Sequence, residues 1–76
     1  MMRLSELETD VQARISEIQT APDVIERLYS VGIFVGSLVQ KTRTSEIGSP
    51  VCIWTSHDCT FALGYGLAEK IIITRE

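Results

Sequence analysis

Four residues in the second half of the chain carry side chains fit for a metal or nucleophile site: Cys52, His57, Asp58 and Cys59. Thiolate, imidazole and carboxylate all bind transition metals, and a thiol beside an imidazole is the pairing of a cysteine nucleophile with its base. Their spacing argues against both uses. Ser56-His57-Asp58 reads as a three-residue hairpin loop joining strands over 51–55 and 59–63. Thr55 then faces Cys59, Ile53 faces Phe61 and Val51 faces Leu63. Alternate side chains share a face, so these six form one apolar face, which is expected to become core. Cys52 and Trp54 point the other way, opposite Ala62 and Thr60. Cys59 is thus expected inside, as a buried structural cysteine, with Cys52 outside. A shared disulfide or metal would need a register slip, and a slip would expose the core set.

A structural zinc site needs about four convergent ligands, often from paired Cys-x-x-Cys units. One histidine and two cysteines on opposite faces do not supply them. No metal site and no cofactor is expected, beyond weak or transient metal binding. His57 and Cys59 diverge across a strand and no third residue is placed to orient the imidazole, so no catalytic residue is assigned. Gly32-x-x-x-Gly36 and Gly64-x-Gly66 do not follow the strand, glycine loop, Lys-Ser/Thr and helix order of a phosphate cradle. Backbone geometry explains these glycines. Trp54 has two readings: an interface aromatic, or a ring packed on the N-terminal residues or the 45–50 loop.

The elements that hold these residues are short. Leu4 and Leu7 flank Ser5-Glu6, a lead-in suited to closing one end of a core, and Thr9-Asp10 marks a turn. Val11, Ala13 and Ile15 alternate with Gln12, Arg14 and Ser16, the period of a half-buried strand. Ile18 is out of phase with Ile15, which predicts a bulge near Ser16-Glu17. Pro22 and Asp23 open a helix over 22–31, since proline suits the first helical position and a carboxylate suits the positive end of the dipole. Val24, Ile25, Leu28 and Val31 form its apolar stripe, a lid over an open barrel end. Gly32 is placed to end it in a left-handed conformation. Gly36 bounds the apolar connection Ile33-Phe34-Val35, and Gly48 sits in a loop over 45–50. Further strands are read at 38–43 and 70–74, with at most one helical turn at 67–69.

With 76 residues the chain suits one domain, 1–76. Nine Ile, six Val and seven Thr bias it toward sheet. Five strands in so short a chain bury a core by curling, so the expected fold is all-β with one short helix, a small five-stranded barrel. The net charge of −3 and the single close basic pair, Lys41 and Arg43, exclude a nucleic-acid binder. No apolar run approaches the roughly 20 residues of a membrane span. The first residues turn acidic at Glu6 without a secretory apolar stretch, which points to the cytoplasm.

The segment Leu28-Tyr29-Ser30-Val31-Gly32-Ile33-Phe34-Val35-Gly36 resembles the signature of the FeoA family: a helix ending in Leu-x-Glu-Met-Gly-Leu, then a second glycine before a strand. Ser30 and Val31 stand where that family commonly has Glu and Met. Gly48-Ser49-Pro50-Val51 is similar to its Gly-Asp-Pro-Ile/Val hairpin entry. Ala62-Leu63, Leu67-Ala68-Glu69-Lys70-Ile71 and Arg3-Leu4-Ser5-Glu6-Leu7 match its closing and opening patterns. The resemblance implies an SH3-like barrel and a non-enzymatic, cytoplasmic accessory or regulatory protein of bacterial ferrous iron transport and iron homeostasis. It implies protein–protein interaction with the cytosolic domain of a FeoB-type transporter, which would place the chain peripherally at the inner membrane. Leu28, Tyr29, Val31 and Phe34 are then the candidate contact residues, with Leu28 and Val31 equally readable as core. Two other readings stand beside it. One is a metal-sensing or interaction domain related to the C-terminal SH3-like domain of DtxR-type repressors, although the chain has no helix-turn-helix segment. The other is a small enzyme or redox protein using Cys52 or Cys59. Exposed strand edges of a small barrel also allow a homo-oligomer.

Overall fold

The computed structural model describes residues 2–43, 48–56 and 58–75. Its strands are β1 (Met2–Arg3), β2 (Gln12–Ile18), β3 (Leu38–Lys41), β4 (Val51–Thr55), β5 (Cys59–Leu63) and β6 (Ile71–Arg75). Helix α1 (Pro22–Ser30) joins β2 to β3, and α2 (Tyr65–Ala68), a single turn, joins β5 to β6. All pairings are antiparallel and give one sheet in the order β1-β6-β2-β3-β4-β5. Five of these strands are the expected ones, and the barrel gains a sixth. β1 is two residues long, too short to show a period, and pairs Met2 with Ile73 and Arg3 with Ile72. The third strand ends at Lys41, two residues before the expected 43.

The sheet can curl because β2 bulges where the sequence loses phase. Ile15 pairs with Ile73 and Glu17 with Ile72, leaving Ser16 as the extra residue. Its hydroxyl donates to the Ile72 carbonyl at 3.2 Å. The bulge returns Ile18 to the inner face, so Ile15 and Ile18 are both buried. They join Leu4, Leu7, Ala13, Leu28, Ile33, Val39, Val51, Ile53, Leu63, Ala68, Ile71 and Ile73 in one core. Leu4 lies on a 3-10 turn (Leu4–Glu6) that, with Leu7, closes one end as the lead-in predicted.

Lys41, one of the close basic pair, is buried. Its stem packs inward and Nζ donates to the Ser5 carbonyl at 3.2 Å, tying β3 to the closing turn. Asp10 adopts φ 66° at the expected Thr9-Asp10 turn, and its amide donates to the Lys41 carbonyl at 2.8 Å.

The β4–β5 hairpin has the predicted register throughout, from Val51 with Leu63 to Thr55 with Cys59. Asp58 takes the left-handed conformation that closes a three-residue loop, φ 61°, and its amide donates to the Thr55 carbonyl at 2.9 Å. His57, expected in the hairpin turn, and residues 44–47, within the expected 45–50 loop and just before it, lie outside the described residues.

Candidate partner-docking surface

Helix α1 begins as its sequence requires, with Pro22 in the first turn and Asp23 behind it. It ends at Ser30, with Val31 as its cap residue. The Gly32 amide then donates to Tyr29 and the Ile33 amide to Leu28, at 3.1 and 2.9 Å. Gly32 has φ 88°. Together these make a Schellman motif, whose left-handed residue is glycine because a Cβ would meet the neighbouring carbonyl. Leu28 and Ile33, the two apolar positions that accompany the motif, are both buried.

The chain then turns again at once. Ser37 donates its amide to the Phe34 carbonyl at 3.0 Å, with Gly36 (φ 95°) third in the turn. The Ser37 hydroxyl donates to the same carbonyl at 2.8 Å and accepts the Phe34 amide at 3.2 Å. The Gly36 amide donates to the Ile15 carbonyl at 2.8 Å, and the Arg14 Nη1 donates to the Gly36 carbonyl at 2.7 Å. This corner is therefore bonded to itself and to β2. Gly48, the third glycine singled out, also has a positive φ of 88° and opens the approach to β4.

The four candidate contact residues separate into two groups. Tyr29 stands on the outside and Phe34 is half-buried beside it, their ring centroids 4.9 Å apart at an interplanar angle of 39°. Tyr29 is 65% exposed, and Val35 beside this pair is 61% exposed. Leu28 and Val31 lie on the other side of the helix. Leu28 is core, and Val31 is half-buried against it. Both line a groove of about 310 Å³ with Val24, Phe61, Leu63 and Leu67, and Arg27 stands at its rim. The sequence reading missed the groove because three elements far apart in the chain build it.

The other candidates resolve as follows. Cys52 is half-buried on the outer face and Cys59 is exposed, and neither is in a disulfide. The expectation of a buried Cys59 is corrected: its side chain is on the inner face, but β5 is an edge strand and α1 covers only its far end. Leu63 is buried, Phe61 is 36% exposed, and Cys59 lies beyond the groove. Trp54 is half-buried on the outer face, beside Gln12, Gln40 and Thr42, with its Nε1 donating to Asp58 Oδ1 at 3.5 Å. Among the described residues no three His, Cys, Asp or Glu side chains converge as a metal site. Among the same residues no helix is long and apolar enough to cross a membrane.

A curled antiparallel sheet capped by one helix, with two apolar surfaces on either side of that helix, defines an SH3-like β-barrel module. The FeoA domain model matches residues 2–75, and the chain belongs to the FeoA family. It shares 24% identity with an iron uptake regulatory protein (FeoA) of known crystal structure, over 99% of this chain and 97% of that one, with a TM-score of 0.88. It shares 27% identity with FeoA of Stenotrophomonas maltophilia, a prokaryotic SH3 domain protein solved with zinc, over 97% and 91% of the chains, with a TM-score of 0.79. A manganese-dependent transcriptional repressor, solved with manganese, has the same fold at 17% identity and a TM-score of 0.87. That likeness covers 99% of this chain but 36% of the repressor. The comparison with curated proteins returns no match.

Proposed function

We propose that this chain is a non-enzymatic, cytoplasmic accessory protein of ferrous iron uptake that binds the cytosolic domain of a FeoB-type transporter through Tyr29 and Phe34. The observation that carries this reading is an aromatic pair, Tyr29 exposed and Phe34 half-buried against it, on a corner already fixed by hydrogen bonds. Rigid aromatic groups that need little further ordering are what protein interfaces use as anchors. Membership of the FeoA family, and the likeness to a Stenotrophomonas protein described as a candidate ferrous iron transport activating factor, support a ferrous iron transporter as the partner. Leu28 and Val31 support the pair from behind, and the transporter holds the protein at the inner membrane.

Calorimetric titration of the intact protein into the transporter's soluble cytosolic domain tests this. Phe34→Asp is expected to weaken binding by about 2 kcal/mol or more with the circular dichroism spectrum unchanged. Undiminished binding by Phe34→Asp and Tyr29→Asp would remove the surface.

The repressor likeness supports a second reading, a metal-responsive interaction domain. Titration with manganese, ferrous and zinc ions separates the two, because saturable one-to-one binding belongs only to the second.

A further inference from the structure

The two edges of the sheet are built differently. β1 has two residues, and one is Arg3, whose amide donates to Glu6 Oε1 at 2.8 Å and whose Nη1 donates to the Glu69 carbonyl at 2.7 Å. β5 has five residues, Cys-Thr-Phe-Ala-Leu, in unbroken register with β4. It has no charge, proline or bulge, the devices that keep an exposed edge from pairing.

The ladder fixes which backbone groups of β5 point out of the sheet. The Cys52 carbonyl accepts the Thr42 amide at 2.9 Å, and the Ser56 amide donates to the Leu38 carbonyl at 3.1 Å. The even-numbered residues here thus turn their backbone toward β3. Val51, Ile53 and Thr55 turn theirs toward β5, so their partners Leu63, Phe61 and Cys59 face β4. Thr60 and Ala62 direct N–H and C=O outward, since backbone direction alternates along an antiparallel ladder.

We propose that β5 pairs antiparallel with β5 of a second copy of this chain, about a two-fold axis at Phe61. Thr60 then exchanges hydrogen bonds with Ala62 of the second copy, and the reverse pair does the same. Phe61 meets Phe61 of the second copy in a non-hydrogen-bonded pair, where side chains lie closest. The two rings fall on the inner face at the mouth of the groove lined by Val24, Val31 and Leu67. No pair in this register sets like charges together, and the axis closes the interface at two copies. A five-residue strand is about 17 Å long, set against a molecule of 28 × 24 × 23 Å. Such a strip runs along most of one side but falls short of the ~800 Å² per partner of a standard stable interface. The dimer is therefore concentration-dependent, with a dissociation constant on the order of tens of micromolar.

Sedimentation velocity of the intact protein from about 5 to about 500 µM tests this range. The wild type is expected to pass from monomer to dimer. Thr60→Pro removes an outward amide without touching a bond to β4, and Phe61→Lys sets two charges together at the axis. Both are expected to stay monomeric with the wild-type circular dichroism spectrum, while Phe34→Asp dimerises as the wild type does. A wild type that stays monomeric throughout overturns the proposal, and so does undiminished dimerisation of the folded Thr60→Pro or Phe61→Lys. A β5-dependent complex with the transporter domain but no self-association gives the edge to a different partner and overturns it too. Transporter binding through Tyr29 and Phe34 is scored separately.

Discussion

β4 and β5 are two arms of one hairpin, five residues each and in perfect register, yet they live in different surroundings. On β4, Val51, Ile53 and Thr55 are fully buried. On β5, the residues opposite them are Leu63, buried, Phe61, partly exposed, and Cys59, exposed. Alternation decides which face a side chain takes, but the number of neighbours decides whether that face is dry. β4 lies between β3 and β5, whereas β5 has a neighbour on one side and a helix over one end. A strand that shares a core's face at an edge becomes surface that can recognise something.

The sharpest way to break this contrast is to truncate opposite residues. Ile53→Ala should cost about 3–4 kcal/mol in a urea titration, the range for a large aliphatic removed from a packed interior. Phe61→Ala, measured in dilute protein, should cost about 1 kcal/mol. Equal losses would mean that β5 is core along its whole length. Next in size, Leu63→Ala should cost about 2–3 kcal/mol, because the covered end of β5 behaves like β4. A loss as small as that of Phe61→Ala would leave no gradient along the strand.

Thr55 offers a finer probe. Its hydroxyl is buried and has no hydrogen-bond partner among the described residues. Thr55→Val keeps the branched shape and removes a polar group from the core, so it should raise stability by about 1 kcal/mol. A loss of stability would show that the hydroxyl is used. The smallest effect is expected from Cys52→Ser with Cys59→Ser, within about 0.5 kcal/mol by thermal melting and without change in iron uptake. A lost activity would revive the redox reading that their separate faces argue against.

What could be read from the chain follows the same physics. The hairpin register was legible because a three-residue loop permits one pairing, and the structure keeps it. The bulge was legible because Ile15 and Ile18 need one face but sit at odd spacing. The helix end was legible because Gly32 follows the last apolar position of the stripe. β1 was not, since two residues carry no period. The exposure of Cys59 and Phe61 was not, because a pattern of alternating side chains is silent on how many strands flank the one that bears it. The groove between α1 and β5 was not, because Val24, Phe61 and Leu67 meet only after the chain has folded. Of the surface residues expected to act together, Tyr29 and Phe34 do meet, while Leu28 and Val31 face the other way.

The corner between the two positive-φ glycines, 32 and 36, leaves three residues in between, and neighbours among them have different fates: Ile33 fills the interior while Phe34 is half-buried against the exposed Tyr29. The length of that stretch is therefore as constrained as its composition. Inserting or deleting one residue would send an aromatic ring inward and an isoleucine out, unseating the cap of α1 and the outer ring pair together. Variation among relatives at this corner should come as exchange of side chains, with gaps in the alignment falling elsewhere.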